Sequence, residues 1–312
     1  MKIWHDWQDL PEAARHHAVA MGNFDGVHRG HVHVLHQLHA ARPDLPLAVL
    51  TFEPHPREFF RPDDPPFRLT LAEERANALE ALGVATLYQF PFDARLAHFS
   101  ADDFVNQVLI QGIGARHLAC GADFAFGHRR GGNVHFLESV LTSHNIGFTP
   151  AQLLADEDGR LSSSRIRRLL ADGYPDRAAH ELGRPFTIHG VVSHGDKRGR
   201  TINFPTANIA LGRHLEPAHG VYAVRAHLAD GRVVDGVANI GRRPTVSDGP
   251  ESRLEVHLFD FEGDLYNQPI AVELHYFLRE EQRFASLAAL REQIEIDAAE
   301  ARRLLRSAQV PI

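Results

Sequence analysis

AVAMGNFDGVHRGHVHVLHQLHAA, residues 18–41, passes from an apolar run to an amphipathic one. Between them, Gly22–His31 holds three glycines, two histidines and one aspartate. The run at 18–22 reads as a buried strand. At about 100° per residue from Gly30 onward, Val34, Leu35, Leu38 and Ala41 share one helical face. His33, His36 and Gln37 share the other and read as solvated. His31 falls in the first turn on the buried side, and His28 in the loop just before it. Gly30 puts no side chain between backbone and ligand, and a helix N-terminus offers unpaired N–H groups and a positive dipole end. Two imidazoles and bare amides suit a phosphate whose charge grows in a transition state. A tight turn with incidental histidines is the alternative in a chain with 22 of them. A zinc site built on His28 and His31 lacks neighbouring ligands at the usual spacing, Asp25 apart.

The same alternation continues outward. Strand-like runs recur at 47–52, 84–90, 116–121 and 147–153, with helical spacing between them. Thr70 and Glu73 read as a capping box for a helix that stops at Gly83, and Ser100 with Asp103 starts another. Repeated strand–helix–strand units imply a parallel sheet covered on both faces. Such a sheet binds ligands at the carboxyl ends of its strands.

Beyond Gly183-Arg184-Pro185 the pattern changes. FTIHGVVSH, VYAVRAHL, RVVDGVANIG, RLEVHLFDF and IAVELHYFL are β-rich with Gly, Pro and Asp turns, which predicts a closed antiparallel barrel. A last helix follows, capped by Ser286, with Leu287, Leu290, Ile294, Ala298, Ala301 and Leu305 as its apolar stripe. Two domains are expected, 1–183 and 184–312.

Composition sets the class. With 312 residues, 44% of them hydrophobic and 23% charged, the chain is globular and long enough for two domains. A net charge of -7 argues against a sequence-independent grip on nucleic acid. One cysteine, Cys120, fits a reducing compartment. MKIWHDWQDL has no apolar signal core, and no run approaches the ~18 apolar residues of a membrane helix. A cytoplasmic protein with no membrane partner is expected.

Further motifs sit where the parallel sheet would hold its ligand. TFEPHP (51–56) follows the second strand, GADFAFGHRRGG (121–132) the fourth and RLSSSRIRRLL (160–170) the fifth. Two prolines hold His55 on a stiff turn suited to a flat ligand. GHRRGG is either a phosphate clamp or a solvated loop. The serines of RLSSSRIRR can cap a helix while facing an anion. In the second half, GVVSHGDKRGRTINFPTANI (190–209) lacks the G-K-[ST] ending of a P-loop, yet Gly195, Lys197, Gly199 and Arg200 can wrap a polyphosphate. On the alternating strand 253–261, Glu255 shares a face with Arg253 and His257, opposite Leu254, Val256 and Leu258.

GNFDGVHRGH resembles the HxGH signature of nucleotidyltransferases, and the order and spacing of all these motifs resemble the bacterial bifunctional riboflavin kinase/FAD synthetase family over nearly the whole chain. The resemblance implies a Rossmann-like α/β nucleotidyltransferase domain followed by an antiparallel β-barrel kinase domain that ends in a helix. It implies phosphorylation of riboflavin to FMN with ATP and Mg²⁺, then adenylylation of FMN by a second ATP to FAD and pyrophosphate. In that scheme His28 and His31 stabilise the transferring phosphate. Gly22, Phe24, Gly30, Arg160, Ser163, Ser164 and Arg167 bind ATP, with Gly195, Lys197, Gly199 and Arg200 serving the kinase. His55 and Asp123 bind flavin in the first domain, and Arg279 and Phe284 in the second. Thr206 and Asn208 of the PTAN tetrad hold the metal, since Mg²⁺ prefers hard oxygen ligands. Glu255 takes the ribityl proton. Two departures stand out. Ser164 replaces a threonine common in relatives, and Asn203 a glycine. The rival reading is an HxGH nucleotidyltransferase for another acceptor, with a barrel that binds flavin without catalysis. Nucleic acid is not an expected partner.

Overall fold

The computed structural model describes residues 1–152, 154–157, 159–193, 204–243 and 251–307. They form two compact units, Met1–Pro65 with Thr70–Ser162 and Pro66–Leu69 with Ser163–Ile312.

The main sheet of the first unit has six strands, β1 (Lys2–Trp4), β2 (Ala18–Met21), β3 (Leu47–Glu53), β4 (Thr86–Pro91), β5 (His117–Gly121) and β6 (Gly147–Ala151). They lie in the order β1-β4-β3-β2-β5-β6, and every pairing is parallel. The run at 18–21 is apolar throughout because β2 is central and covered on both sides. Val19 and Met21 face one core with Leu50, Tyr88 and Leu118. Ala18 and Ala20 face the other with Val49, Leu87 and Ala119. Helices α1 (Arg29–Ala41), α2 (Pro56–Phe60), α3 (Ala72–Ala81) and α4 (Val134–Ser143) follow strand ends or loops of this unit. Val34, Leu35 and Leu38 of α1 and Ala76 and Leu79 of α3 complete the second core. His36 is exposed and His33 half-buried, as their position on the polar face requires.

One cap differs from its sequence reading. Leu71, not Thr70, is the residue before α3, and the Glu74 carboxylate, not that of Glu73, accepts from the Leu71 N–H at 2.8 Å. Thr70 is buried and spent elsewhere. Its N–H donates to Asp25 Oδ1 at 3.1 Å, and its hydroxyl accepts from Gly26 N–H at 2.9 Å. Ser100 does cap its helix, accepting from Asp103 N–H at 3.0 Å.

The second unit is an antiparallel barrel of β7 (Phe186–Val191), β8 (Ala207–Ala210), β9 (Gly220–Leu228), β10 (Val233–Arg243), β11 (Glu251–Leu258) and β12 (Pro269–Arg279). The order is β7-β12-β9-β10-β11-β8. A bridge from Ser193 to Asn208, with Ser193 N–H donating to Asn208 O at 2.9 Å, nearly closes it. Leu254, Val256 and Leu258 point into the barrel core, so Glu255 and His257 occupy the outer face. Two helices that precede the strands, α5 (Ser163–Ala171) and α6 (Pro175–Leu182), put Ile166, Leu170, Ala178 and Leu182 into this same core. By packing, therefore, the second unit starts at Ser163, ahead of the compositional change at 184. The terminal helix α7 (Leu287–Ser307) sets Ala301 and Leu305 against Val221, Ala223 and Val237 on the outer face. Ser286 caps it at 3.2 Å from Ala289 N. Leu287, the first residue of the expected stripe, is 68% exposed.

Candidate active sites

In the first unit the loop 22–28 leaves β2 at its carboxyl end and enters α1. Its shape is unusual: Phe24 and Val27 have φ of 50° and 40°, values that side-chain-bearing residues seldom adopt. Buried Asp25 holds it through the Thr70 bonds described above. The two histidines cap α1 reciprocally, with His31 N–H donating to His28 Nδ1 at 3.4 Å and His28 N–H to His31 Nδ1 at 3.3 Å. Their rings stack at 3.7 Å between centroids, and Phe24 lies 4.8 Å from the His31 ring. Gly30 packs closely under this stack: a Cβ there would lie 3.0 Å from the His28 ring. Gly22 packs against Phe24, whose ring would be 3.4 Å from an added Cβ.

At the end of β3, His55 is buried and caps α2. Its Nδ1 accepts from Arg57 N–H at 3.0 Å, and its own N–H donates to Glu58 Oε2 at 3.0 Å. Pro56 occupies the first helical position, where a missing N–H costs nothing. Asp123 and Arg160 engage each other in a bidentate pair at 2.5 and 2.9 Å, and the guanidinium holds the Asp123 carboxyl below its usual range. Arg129 and Arg130 both have positive φ, 53° and 58°, in the loop between the glycines. Ser163 and Ser164 open helix α5 of the second unit. Arg167 on that helix donates from Nε to Phe67 O at 2.8 Å and lies 5.1 Å from the Phe67 ring.

In the second unit the expected residues converge. Thr206, Glu255, Arg279 and Phe284 all line one cavity of about 720 Å³ between the outer barrel face and the start of α7. Register explains how. Asn208, Glu255, Asn239, Val221 and Arg279 are successive partners across five neighbouring strands, so they form one lateral row. Glu255 is half-buried, and among the described residues no hydrogen bond or ion pair engages its carboxylate. Asn208 is buried beside it, its amide nitrogen 3.5 Å from Thr206 O. Arg279 grips buried Asp297 of α7 with Nε and Nη2 at 2.8–3.0 Å and lies 5.7 Å from the Phe284 ring. Leu287, Leu290 and Ile294 of α7 supply an apolar wall, with Phe204 on the barrel side. Gly195, Lys197, Gly199 and Arg200 lie outside the described residues.

Sequence reading missed Asn239, Glu281 and Asp297. Asn239 lies in register with Glu255 and donates to Glu281 Oε1 at 3.2 Å. Its place opposite Glu255 on an alternating strand was the available signal. The Arg279–Asp297 pair carries none, since the partners lie on different elements.

Residues 10–165 match the FAD synthetase family and residues 182–305 the riboflavin kinase family. A bifunctional riboflavin kinase/FMN adenylyltransferase from Pseudomonas fluorescens is 45% identical, with 92% of each chain covered. The protein of that description from Escherichia coli K12 is 41% identical over 97% of each chain, and that from Bacillus subtilis 39% identical over 96% of each. A solved structure from Streptococcus pneumoniae, described as a macrolide-efflux protein, superposes with a TM-score of 0.86 at 30% identity, covering 96% of this chain and 98% of that one. Among the described residues, no helix is long and apolar enough to cross a membrane.

Proposed function

The chain belongs to the bifunctional riboflavin kinase/FMN adenylyltransferase family, and on that premise we propose how its residues divide two reactions. It phosphorylates riboflavin to FMN and adenylylates FMN to FAD, consuming one ATP in each step. The kinase is assigned to residues 184–312 and the adenylyltransferase to 1–183. What best supports the kinase assignment is the convergence of Thr206, Glu255, Arg279 and Phe284 on one cavity.

In the kinase step, riboflavin lies in that cavity against Phe284 and the apolar start of α7. Arg279, fixed by Asp297, orients its ring. The Glu255 carboxylate takes the proton from the terminal ribityl hydroxyl as that oxygen bonds to the γ-phosphorus of ATP and ADP leaves. The Thr206 hydroxyl and the Asn208 amide oxygen are the hard donors that Mg²⁺ favours; Asn208 is the cross-strand partner of Glu255, and Thr206 lines the same cavity as Glu255. When bound there, the ion would neutralise phosphate charge. Gly195, Lys197, Gly199 and Arg200 are kept as ligands of the ATP phosphates on the resemblance alone.

In the adenylyl step, an oxygen of the FMN phosphate bonds to the α-phosphorus of ATP and the bond to pyrophosphate breaks. The Nδ1 atoms of His28 and His31 serve the reciprocal cap, and the stacked pair stabilises the transferring phosphate in this scheme. The α1 N-terminus adds its dipole. Arg160, Ser163, Ser164 and Arg167 as triphosphate ligands, and His55 and Asp123 as flavin ligands, are kept on the resemblance alone, with Gly22 and Phe24 shaping the loop. The cytoplasm is the proposed compartment, which suits the single buried Cys120. Incubation with riboflavin, ATP and Mg²⁺ followed by flavin separation tests the scheme: FMN and then FAD should accumulate. FAD from supplied FMN with no FMN from riboflavin would favour the non-catalytic barrel.

A further inference from the structure

We infer that Arg75 is a positioning residue for FAD formation, locking the histidine-bearing loop to the end of β3. Its side chain is fully buried in α3, and its guanidinium meets acceptors from three separate elements. Nη1 donates to the carbonyl of Asn23, in the loop after β2, at 3.5 Å. Nη2 donates to Glu53 Oε2 at the end of β3 at 3.0 Å and to Gln89 Oε1 on β4 at 3.1 Å. The Asn23 carbonyl also accepts from the buried Thr51 hydroxyl at 3.1 Å.

These bonds act at a place where geometry matters. The loop from Asn23 to His28 contains the positive φ values of Phe24 and Val27, and such conformations persist only where the surroundings enforce them. Asp25 and Thr70 hold the middle of the loop, whereas Arg75 and Thr51 hold its start. Glu53, the other partner, stands two residues before His55. Arg75 therefore sets the spacing between the loop carrying His28 and His31 and the turn assigned to the flavin. A planar fork with several donors can serve three acceptors at once, whereas a lysine ammonium is a compact point charge. The buried charge is matched by the Glu53 carboxylate, so Arg75→Lys preserves the ion pair and loses the span.

The inference rests on the reading of His28 and His31 as the adenylyl site, and the test separates the two. Arg75→Lys, Arg75→Gln and Thr51→Val are assayed in the full chain for FAD from FMN and, in the same samples, for FMN from riboflavin. Thr51→Val keeps the side-chain shape and removes the second donor to Asn23, so it carries the test should Arg75→Gln not fold. The expected result is a kcat for FAD formation lower by roughly 10- to 100-fold per folded molecule, the scale of a small misplacement of reacting groups. KM for FMN and ATP should change by no more than about threefold, and kinase activity should be unaltered. A purely structural role would lower the folded fraction and leave kcat per folded molecule unchanged. Folded Arg75→Lys with wild-type kcat, or equal loss of both activities, overturns the inference. His31→Ala runs alongside. If it keeps FAD formation, the reading of the loop falls and this inference with it. If it loses FAD formation while the Arg75 and Thr51 variants do not, only the role of Arg75 is refuted.

Discussion

Replacing Gly30 by alanine separates the chemistry of the first unit from its stability. The added Cβ would lie 3.0 Å from Cε1 and Nδ1 of His28 and 3.4 Å from Leu161 Cδ2. At that distance the imidazole must give by a few tenths of an ångström. The His31 N–H to His28 Nδ1 bond is already 3.4 Å long and lengthens further with that shift, while the same N–H keeps its 2.7 Å bond to His28 O. Weakening the side-chain cap costs up to about 1 kcal/mol, while alanine for glycine within a helix returns about 0.5–1 kcal/mol. The two nearly cancel, so Tm should move by no more than about 4 °C. Displacement of a phosphate-handling group on this scale lowers kcat by roughly 10- to 100-fold. The assay follows FAD from supplied FMN, with FMN from riboflavin as internal reference. Full FAD-forming activity in Gly30→Ala would refute the idea that the stacked pair must keep its place. A drop in both activities would refute the assignment of this loop to one reaction.

Two other perturbations address stability. Burial lowers the pKa of His17, whose ring bonds the Tyr88 hydroxyl at 3.1 Å and Thr86 Oγ1 at 3.2 Å. A folded-state pKa below the usual 6.5 means stability that is complete above that value and lost as pH falls below it. The stability of the first unit should fall by up to about 1.4 kcal/mol per pH unit for this proton as pH drops below 6.5, and His17→Gln should flatten that slope; an unchanged slope would exclude His17 as the cause. Because Ile166, Leu170 and Leu182 belong to the barrel core, a fragment beginning at 163 should melt well above one beginning at 184, each leucine or isoleucine contributing roughly 1.5–3 kcal/mol. Equal melting of the two would show that α5 and α6 are dispensable to the barrel.

The parts of the molecule legible in the sequence were those whose determinants are local. The apolar 18–21 run, the 3.6-residue period after Gly30 and the alternation of 253–258 each follow from which faces are covered, and the structure agrees at each. Thr70 shows the limit. Its sequence context reads as a cap, but its hydroxyl and N–H serve Gly26 and Asp25, more than 40 positions away. Arg75 carries no local signal for the same reason, since Asn23, Glu53 and Gln89 meet it only after the sheet forms. The helices before 184 look like part of the α/β pattern, because periodicity records that a face is apolar and not which core covers it. Thr206, Glu255, Arg279 and Phe284 were legible through resemblance and residue type. Their meeting in one cavity depends on strand register and on the docking of α7, which no single stretch encodes.

The central claim is that two separate sites act in one chain, and Glu255→Gln tests it most directly. Glutamine keeps the side-chain shape and cannot accept the ribityl proton, and general-base catalysis contributes roughly 10²–10⁴-fold in rate. The same purified variant is given riboflavin with Mg·ATP, and separately FMN with Mg·ATP, and the flavins are separated over time. The expected result is FMN formation from riboflavin slowed by that factor and FAD formation from FMN at the wild-type rate. Near-normal phosphorylation of riboflavin would contradict the role of Glu255, and loss of FAD formation from supplied FMN would contradict the separation of the sites.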